Sequence, residues 1–305
     1  MINGVINIYK EAGYTSHDVV AKLRGILKQK KIGHTGTLDP QAVGVLPVCL
    51  GNATKLCDML TDKDKTYETV VLLGKTTDTQ DVFTENILTK CDVPEYELEE
   101  IERCVAHFQG ESMQIPPMYS ALKVNGQKLY ELARKGEVIE RKPRKIVIYE
   151  IEIIDVKLPH IKLRVSCSKG TYIRTLCHDI GERLGCGACM EELKRTKVER
   201  FEVKESVTLQ EVETLVKSDK LEEILTPVDE MFSHLPQMQI GKELSVLLHN
   251  GGRFEEEQIA DKAEALQDEA LVRMYDSENR FIAIYKYEKK QECFKPLKMF
   301  GAHEK

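Results

Sequence analysis

GHTGTLDPQAVGVLP, residues 33–47, packs three glycines, two prolines and one carboxylate, Asp39, into fifteen residues. So many chain breakers argue against a regular helix or strand, and the apolar content argues against a solvated linker. Pro40 disfavours the helical region at Asp39 and pushes it toward an extended conformation. Gly36 and Gly44 permit tight backbone turns on either side. Such a loop can present one carboxylate rigidly to a cleft. The same spacing also suits an aspartate that only bonds its own loop amides, so the flanking residues must decide.

Working outward, GVINIYK (4–10) reads as a strand, and Thr15 or Ser16 can cap a helix with the stripe Val19, Val20, Leu23, Ile26 and Leu27. KTYETVVLLG (65–74) reads as a strand closed by Gly74, and in it Tyr67 is by default a core tyrosine. The acidic span 75–94 reads as an irregular surface loop, and 95–109 as a helix. Pro116 and Pro117 stiffen an extended approach, and Asn125-Gly126 signals a turn. Residues 145–156 suit a strand. In IKLRVSCS (161–168), apolar and polar residues alternate as in a half-buried strand. SKGTYIRTLCHDIGERLG (168–185) turns at Gly170 into a helix with the stripe Ile173, Leu176, Cys177, Ile180 and Leu184, ended by Gly185. Tyr172 and Arg174 fall outside that stripe, at a strand-to-helix junction where side chains can face a cleft.

From about residue 238 the texture changes. A short helix (242–249), an acidic stretch, two strands within 270–290 joined at DSEN, and a closing FKPLKMF suggest a small β-rich appendage. The expected division is therefore 1–237 and 238–305.

The formal net charge of −6 by itself argues against a polyanionic partner, but the charge is segregated. Residues 22–31 carry five basic and no acidic groups, and 121–145 carry eight basic against three acidic. Residues 157–174 carry five basic groups and no acidic ones, whereas 78–103 hold nine acidic and two basic. Patches of one sign, rather than net charge, steer a polyanion. Nine cysteines, an odd number scattered along a long chain, fit free thiols and a reducing cytoplasm. The N-terminus lacks the pattern of a signal peptide, and no apolar run is long enough for a membrane span.

The Cys177-His178 and Cys186-Cys189 pairs offer four ligands only superficially, because Cys177 lies on a buried stripe; no metal is expected. Phosphate-binding glycine loops and the hydrolase elbow are absent, so no nucleotide cofactor is expected.

The order of these segments resembles the TruB family, bacterial tRNA pseudouridine synthases that act on the T loop. GHTGTLDPQAVGVLP resembles the family's catalytic-aspartate motif, and KTYE (65–68) the motif of its active-site tyrosine. IPPMYSALKVNGQKLYELAR (115–134) is similar to a further family segment, SKGTYIRTL (168–176) to its arginine motif, and GCGACMEELKRT (185–196) to its leucine-bearing strand. Two departures stand out: Glu11 where the family has proline, and Cys189-Met190 where it commonly has alanine-histidine.

The resemblance implies an α+β pseudouridine synthase fold, with a mixed, mostly antiparallel sheet split by an RNA-binding cleft and a PUA-like domain at the C-terminus. It implies catalytic roles for Asp39 (nucleophile), Tyr67 and Arg174, and substrate-binding roles for His34, Tyr172, Leu193 and Lys10. The implied reaction isomerises uridine to pseudouridine at position 55 of the tRNA T loop. It uses no cofactor, and the enzyme is a monomer without guide RNA, gripping tRNA partly through the basic insert 121–145. Two other readings stay open. One is the catalytic subunit of a guide-RNA-directed pseudouridylase, and the other a non-catalytic RNA-binding or RNA-folding protein on the same scaffold.

Overall fold

The computed structural model describes residues 1–124, 126–259 and 266–301. Its centre is a ten-stranded sheet. Eight of its strands are labelled here: β1 Gly4–Lys10, β2 Val43–Leu50, β3 Lys65–Leu73, β4 Gly110–Gln114, β5 Arg144–Lys157, β6 His160–Cys167, β7 Ala188–Val198 and β8 Leu225–Thr226. They run in the order β8-β1-β2-β7-β3-β6-β5-β4. Two short strands complete the sheet: Ile32–His34 beside β2 and Phe201–Glu202 beside β7. The β2–β7 contact is parallel and the other neighbouring pairs are antiparallel. The mixed, mostly antiparallel sheet expected from the sequence is therefore present.

β1 and β2 are apolar on both faces because both faces are covered. On one side Ile6, Ile8, Leu46, Val48 and Leu50 pack with Val19, Val20 and Leu23 of helix α1, Ser16–Leu27. Thr15 caps α1 in a reciprocal pair with Asp18, which satisfies backbone donors that the first turn leaves open. On the other side Val5, Val45 and Cys49 pack with Met231 and Phe232 and with Ile284 and Phe300 from the C-terminal region. The other half of the sheet buries Val71, Leu163, Val165 and Cys167 against Ile173, Leu176, Cys177 and Ile180. These last four lie on helix α3, Ile173–Leu184, which Gly185 ends at φ +84. A shorter helix, α2 Leu98–Ala106, adds Ile101, Cys104 and Val105 to the same core.

Residues 237–299 contribute a separate five-stranded sheet in the order Gln237–Gln239, Leu271–Tyr275, Phe281–Glu288, Cys293–Met299, Phe254–Glu255. Its own core includes Met238, Phe254, Val272, Ile282 and Tyr285. Part of the acidic 255–269 stretch lies outside the described residues.

Three expectations need correction. The second half of the 33–47 stretch is not irregular, since Val43 opens β2. Pro47 is tolerated in this interior strand because it sits where the neighbour of β2 changes. Val43 and Gly44 pair with β7, whereas Val48 to Leu50 pair with Ile32–His34. Pro47 therefore faces a gap in the ladder, and its carbonyl accepts from Thr35 N at 3.1 Å. The 75–94 span is not an irregular loop either. Lys75–Thr77 pairs with Ile87–Lys90, and the chain between folds back, with Gln80 and Val82 bonding the backbone of Met190. Lastly, Leu184 is only half-buried, at the end of its stripe. The 123–128 turn carries Gly126 at φ +84 between Lys123–Val124 and Gln127–Lys128, while Asn125 lies outside the described residues.

Candidate active site

The site forms where the two halves of the sheet meet. β2 and β7 touch through two register pairs, Lys194 with Val43 and Arg195 with Gly44. Contact this close requires glycine: a Cβ on Gly44, whose φ is +105, would lie 2.2 Å from the Arg195 carbonyl oxygen. The loop before β2 carries Asp39 and is bonded to β7 through Arg195 Nη2 and Gly36 O.

Arg174, one residue into α3, reaches Asp39 with two nitrogens. Nε lies 2.9 Å from Oδ2, and Nη2 donates to Oδ1 at 3.2 Å. This forked geometry orients a carboxylate as no single donor can. Arg174 is itself held, with Nη1 donating to Thr79 O at 2.9 Å and Nη2 to Tyr119 O at 2.7 Å. It is only 5% exposed, while the Asp39 side chain is 37% exposed, so the pair has a buried anchor and an accessible carboxylate. Arg174 lies outside the apolar stripe, as expected, but inside the protein.

Tyr67, on β3, is buried in the core cluster that also holds Leu38 and Ala42, and Leu193 packs against that cluster. Burial pushes its phenol up, and Arg195 works in the opposite direction. Tyr172 is the residue before α3. Its backbone is fixed by Gln114, which accepts from Tyr172 N at 2.8 Å and donates to Tyr172 O at 3.0 Å, and its side chain stays half-exposed. His34 meets His17 edge to face at 5.4 Å. Its basicity is pushed down to about 4, first by burial and then by His17 and Arg195.

Lys10 lies at the site, but not as a substrate contact. It is fully buried, and Nζ donates to Glu11 O (3.1 Å), Tyr14 O (2.6 Å) and Pro40 O (2.9 Å), which uses all three hydrogens. Its substrate-binding assignment gives way to a role as a tie holding the peptide after Asp39. Burial lowers its pKa to about 8, partly opposed by Asp39. The turn with Glu11 in place of proline still closes on the loop, through Gly13 N to Pro40 O at 3.0 Å.

Reading the sequence missed two participants. Asp81 places a carboxylate 4.0 Å from Arg174 Nη1, with Oδ1 accepting from Thr79 Oγ1 and Phe83 N. Burial raises its pKa. Nothing in the acidic span marked this residue out, because tertiary folding alone brings it to Arg174. The other is Arg195, wholly buried beside Tyr67; nothing local set it apart from Lys194 and Lys197 on the same strand. Cys177, Cys186 and Cys189 are buried thiols, and all nine cysteines are free. Among the described residues no cluster of His, Cys, Asp and Glu is arranged to hold a metal.

An accessible carboxylate clamped by a buried arginine, near a buried tyrosine and at the seam of a mixed sheet, is an arrangement suited to nucleophilic catalysis. Comparison with known proteins is more specific. Residues 24–173 match the TruB family pseudouridylate synthase N-terminal domain, and residues 174–233 the tRNA pseudouridylate synthase B C-terminal domain. The chain belongs to the TruB family. A tRNA pseudouridine synthase B of Lachnoclostridium phytofermentans is 52% identical, over 98% of this chain and 100% of its own length. One from Staphylococcus aureus is 43% identical, over 99% of this chain and 100% of its own. Among solved structures, a Cbf5-Nop10-Gar1 complex contains a chain that superposes with a TM-score of 0.72 at 29% identity, covering 99% of this chain and 86% of that one. A chain of an H/ACA RNP bound to a substrate RNA superposes equally well, at 27% identity.

Proposed function

We propose that this protein isomerises uridine to pseudouridine in the T loop of tRNA, as a cytoplasmic monomer that needs no guide RNA. The observation carrying this reading is the forked Asp39–Arg174 pair beside Tyr67. Isomerisation breaks the N1–C1′ bond, turns the uracil within the site and forms a C5–C1′ bond. The C5 proton is lost and N1 gains one, so no redox partner or group donor is needed.

Asp39 supplies the nucleophile, directed at the sugar or the base ring, and Arg174 holds its two oxygens in place. Tyr67 enters the reaction as a neutral phenol, since burial disfavours its anion. Tyr172 and Leu193 line the space the base would occupy after being flipped out of the folded loop. Lys22, Arg24, Lys28, Lys30 and Lys31 are all exposed on and beside α1, and Arg134, Lys135, Lys142 and Arg144 are exposed on the insert. Both groups present exposed positive charge to phosphates.

A guide-directed subunit is the second reading, because the structural relatives include Cbf5 complexes. The bacterial relatives match at 43–52% identity over nearly their whole length, against 27–29% for those chains, and favour the stand-alone enzyme. A purely binding protein would not require a clamped, accessible carboxylate. The test is a T stem-loop transcript incubated with pure protein, and pseudouridine measured by mass spectrometry. Product should form without guide RNA, nucleotide or metal. Asp39→Asn should abolish it while leaving RNA affinity within about tenfold, because shape and phosphate contacts remain. Absence of product with the unmodified protein, or turnover by the variant, would overturn the reading.

A further inference from the structure

Among the described residues, Arg195 is the largest of the wholly buried side chains. A buried guanidinium carries a large desolvation cost, normally offset by a carboxylate. Here it takes part in no ion pair among the described residues; Lys10, His34 and Lys65 all feel its charge, and the ionisable group that favours that charge is Tyr67. Its other partners are carbonyls: Nε donates to Val45 O at 2.7 Å and Nη2 to Gly36 O at 3.2 Å. Gly36 precedes Asp39 and Val45 follows it, so one planar group bridges both stems of the loop that presents the nucleophile.

The backbone reinforces this arrangement. Arg195 pairs with Gly44 on one side and, across the antiparallel ladder, with Tyr67 on the other. Cross-strand partners project from the same face, which sets the guanidinium against the phenol. Arginine has only donors, so toward the cross-strand guanidinium the Tyr67 oxygen can act only as an acceptor. The phenol's single hydrogen is then free to turn toward the substrate.

We propose that Arg195 is a positioning residue of the isomerisation: it locks the Asp39 loop to β7 and orients the Tyr67 hydroxyl. It touches no reacting atom and acts through the two residues that do. This rests on the assignment of Asp39 and Tyr67 to catalysis made above. Lysine cannot substitute, since a single ammonium on a flexible stem cannot span Gly36 O, Val45 O and the phenol together.

The experiment is single-turnover pseudouridylation of a prebound T stem-loop by Arg195→Lys, Arg195→Met, Tyr67→Phe and the double variant Tyr67→Phe/Arg195→Lys, with RNA affinity measured for each. Arg195→Lys should slow the bound-state rate by roughly a hundredfold, with affinity within about threefold because the RNA grip lies elsewhere. In the Tyr67→Phe background the same change should cost at least about tenfold less, since residues acting as a unit are not additive. Fully additive losses, a loss confined to affinity, or failure of both Arg195 variants to fold would overturn the proposal, the last by making Arg195 a requirement of the fold. Asp39→Asn separates the two levels. Turnover by that variant removes the underlying assignment, whereas an inactive Asp39→Asn beside an unimpaired Arg195→Lys removes only the role of Arg195.

Discussion

His34 shows how a side chain beside a catalytic loop acquires a pH dependence of its own. Its folded-state pKa lies at about 4 against an ordinary 6.5, because the buried ring gains no partner for a second proton and faces His17 and Arg195. Between these values the unfolded chain binds more protons than the folded one, so stability falls as pH drops from about 6.5 toward 4. The whole contribution is at most about 3 kcal/mol. His34→Gln removes this titration. In urea unfolding, the stability difference between the native protein and the variant should shift against the native protein by about 2 kcal/mol between pH 7 and pH 4.5. A difference that stays constant with pH would show that His34 protonates freely in the fold. At this scale, legibility divides by what the neighbours in sequence can say. Asp39 stands in a rigid loop and Arg174 at a strand-to-helix junction, so both stood out locally as candidates, and only the family resemblance attached roles to them. Asp81 and Arg195 draw their importance from Arg174 and Tyr67, which are remote in sequence. Lys10 could be found, but its three carbonyl acceptors could not, and they are what turned it from a substrate contact into a tie.

The seam between β2 and β7 belongs to the scale of elements, and it makes Gly44 the most exacting position in the opening stretch. Alanine there would meet the Arg195 carbonyl at 2.2 Å, at a φ of +105 that side chains rarely adopt. Backbone cannot yield as a flexible side chain does. Gly44→Ala should therefore destabilise the fold by about 3 kcal/mol or more, read as a lower urea midpoint. An unchanged midpoint would mean that the two strands can separate without cost. Elements with a strong period were legible in the sequence. β6 alternates residue by residue, β3 is rich in branched side chains, and α1 announces its cap with Thr15 and Asp18. The 75–94 segment was not legible, since its short strands pair with each other and its middle bonds Met190, and no local pattern encodes such a partner. β2 was obscured for a related reason: Pro47 looks like a strand breaker until the change of neighbour on that edge is known.

For the whole molecule, the two sheets share structure rather than merely following one another. Ile284 and Phe300 complete the core that Val5, Val45 and Ala53 begin, and Lys55 Nζ donates to Met299 O at 2.6 Å. The net charge of −6 conceals the basic run on α1 and the basic insert. If both runs grip RNA backbone, binding should be governed by counterion release, with log K falling linearly against log salt. Each cation that neutralises a phosphate adds about 0.7 to 0.9 to the slope. Replacing Arg134, Lys135, Lys142 and Arg144 by glutamine should reduce that slope by up to about 3. The single-turnover rate at saturating RNA should remain within about threefold, because these residues lie outside the Asp39–Arg174–Tyr67 group. Filter-binding titrations across a salt series, paired with rates at saturation, make the separation visible. A slope that does not change would place the RNA on another face of the protein. A lost rate at saturation would mean that the insert helps to shape the catalytic site, a route the structure offers through Tyr119, whose carbonyl Arg174 already holds.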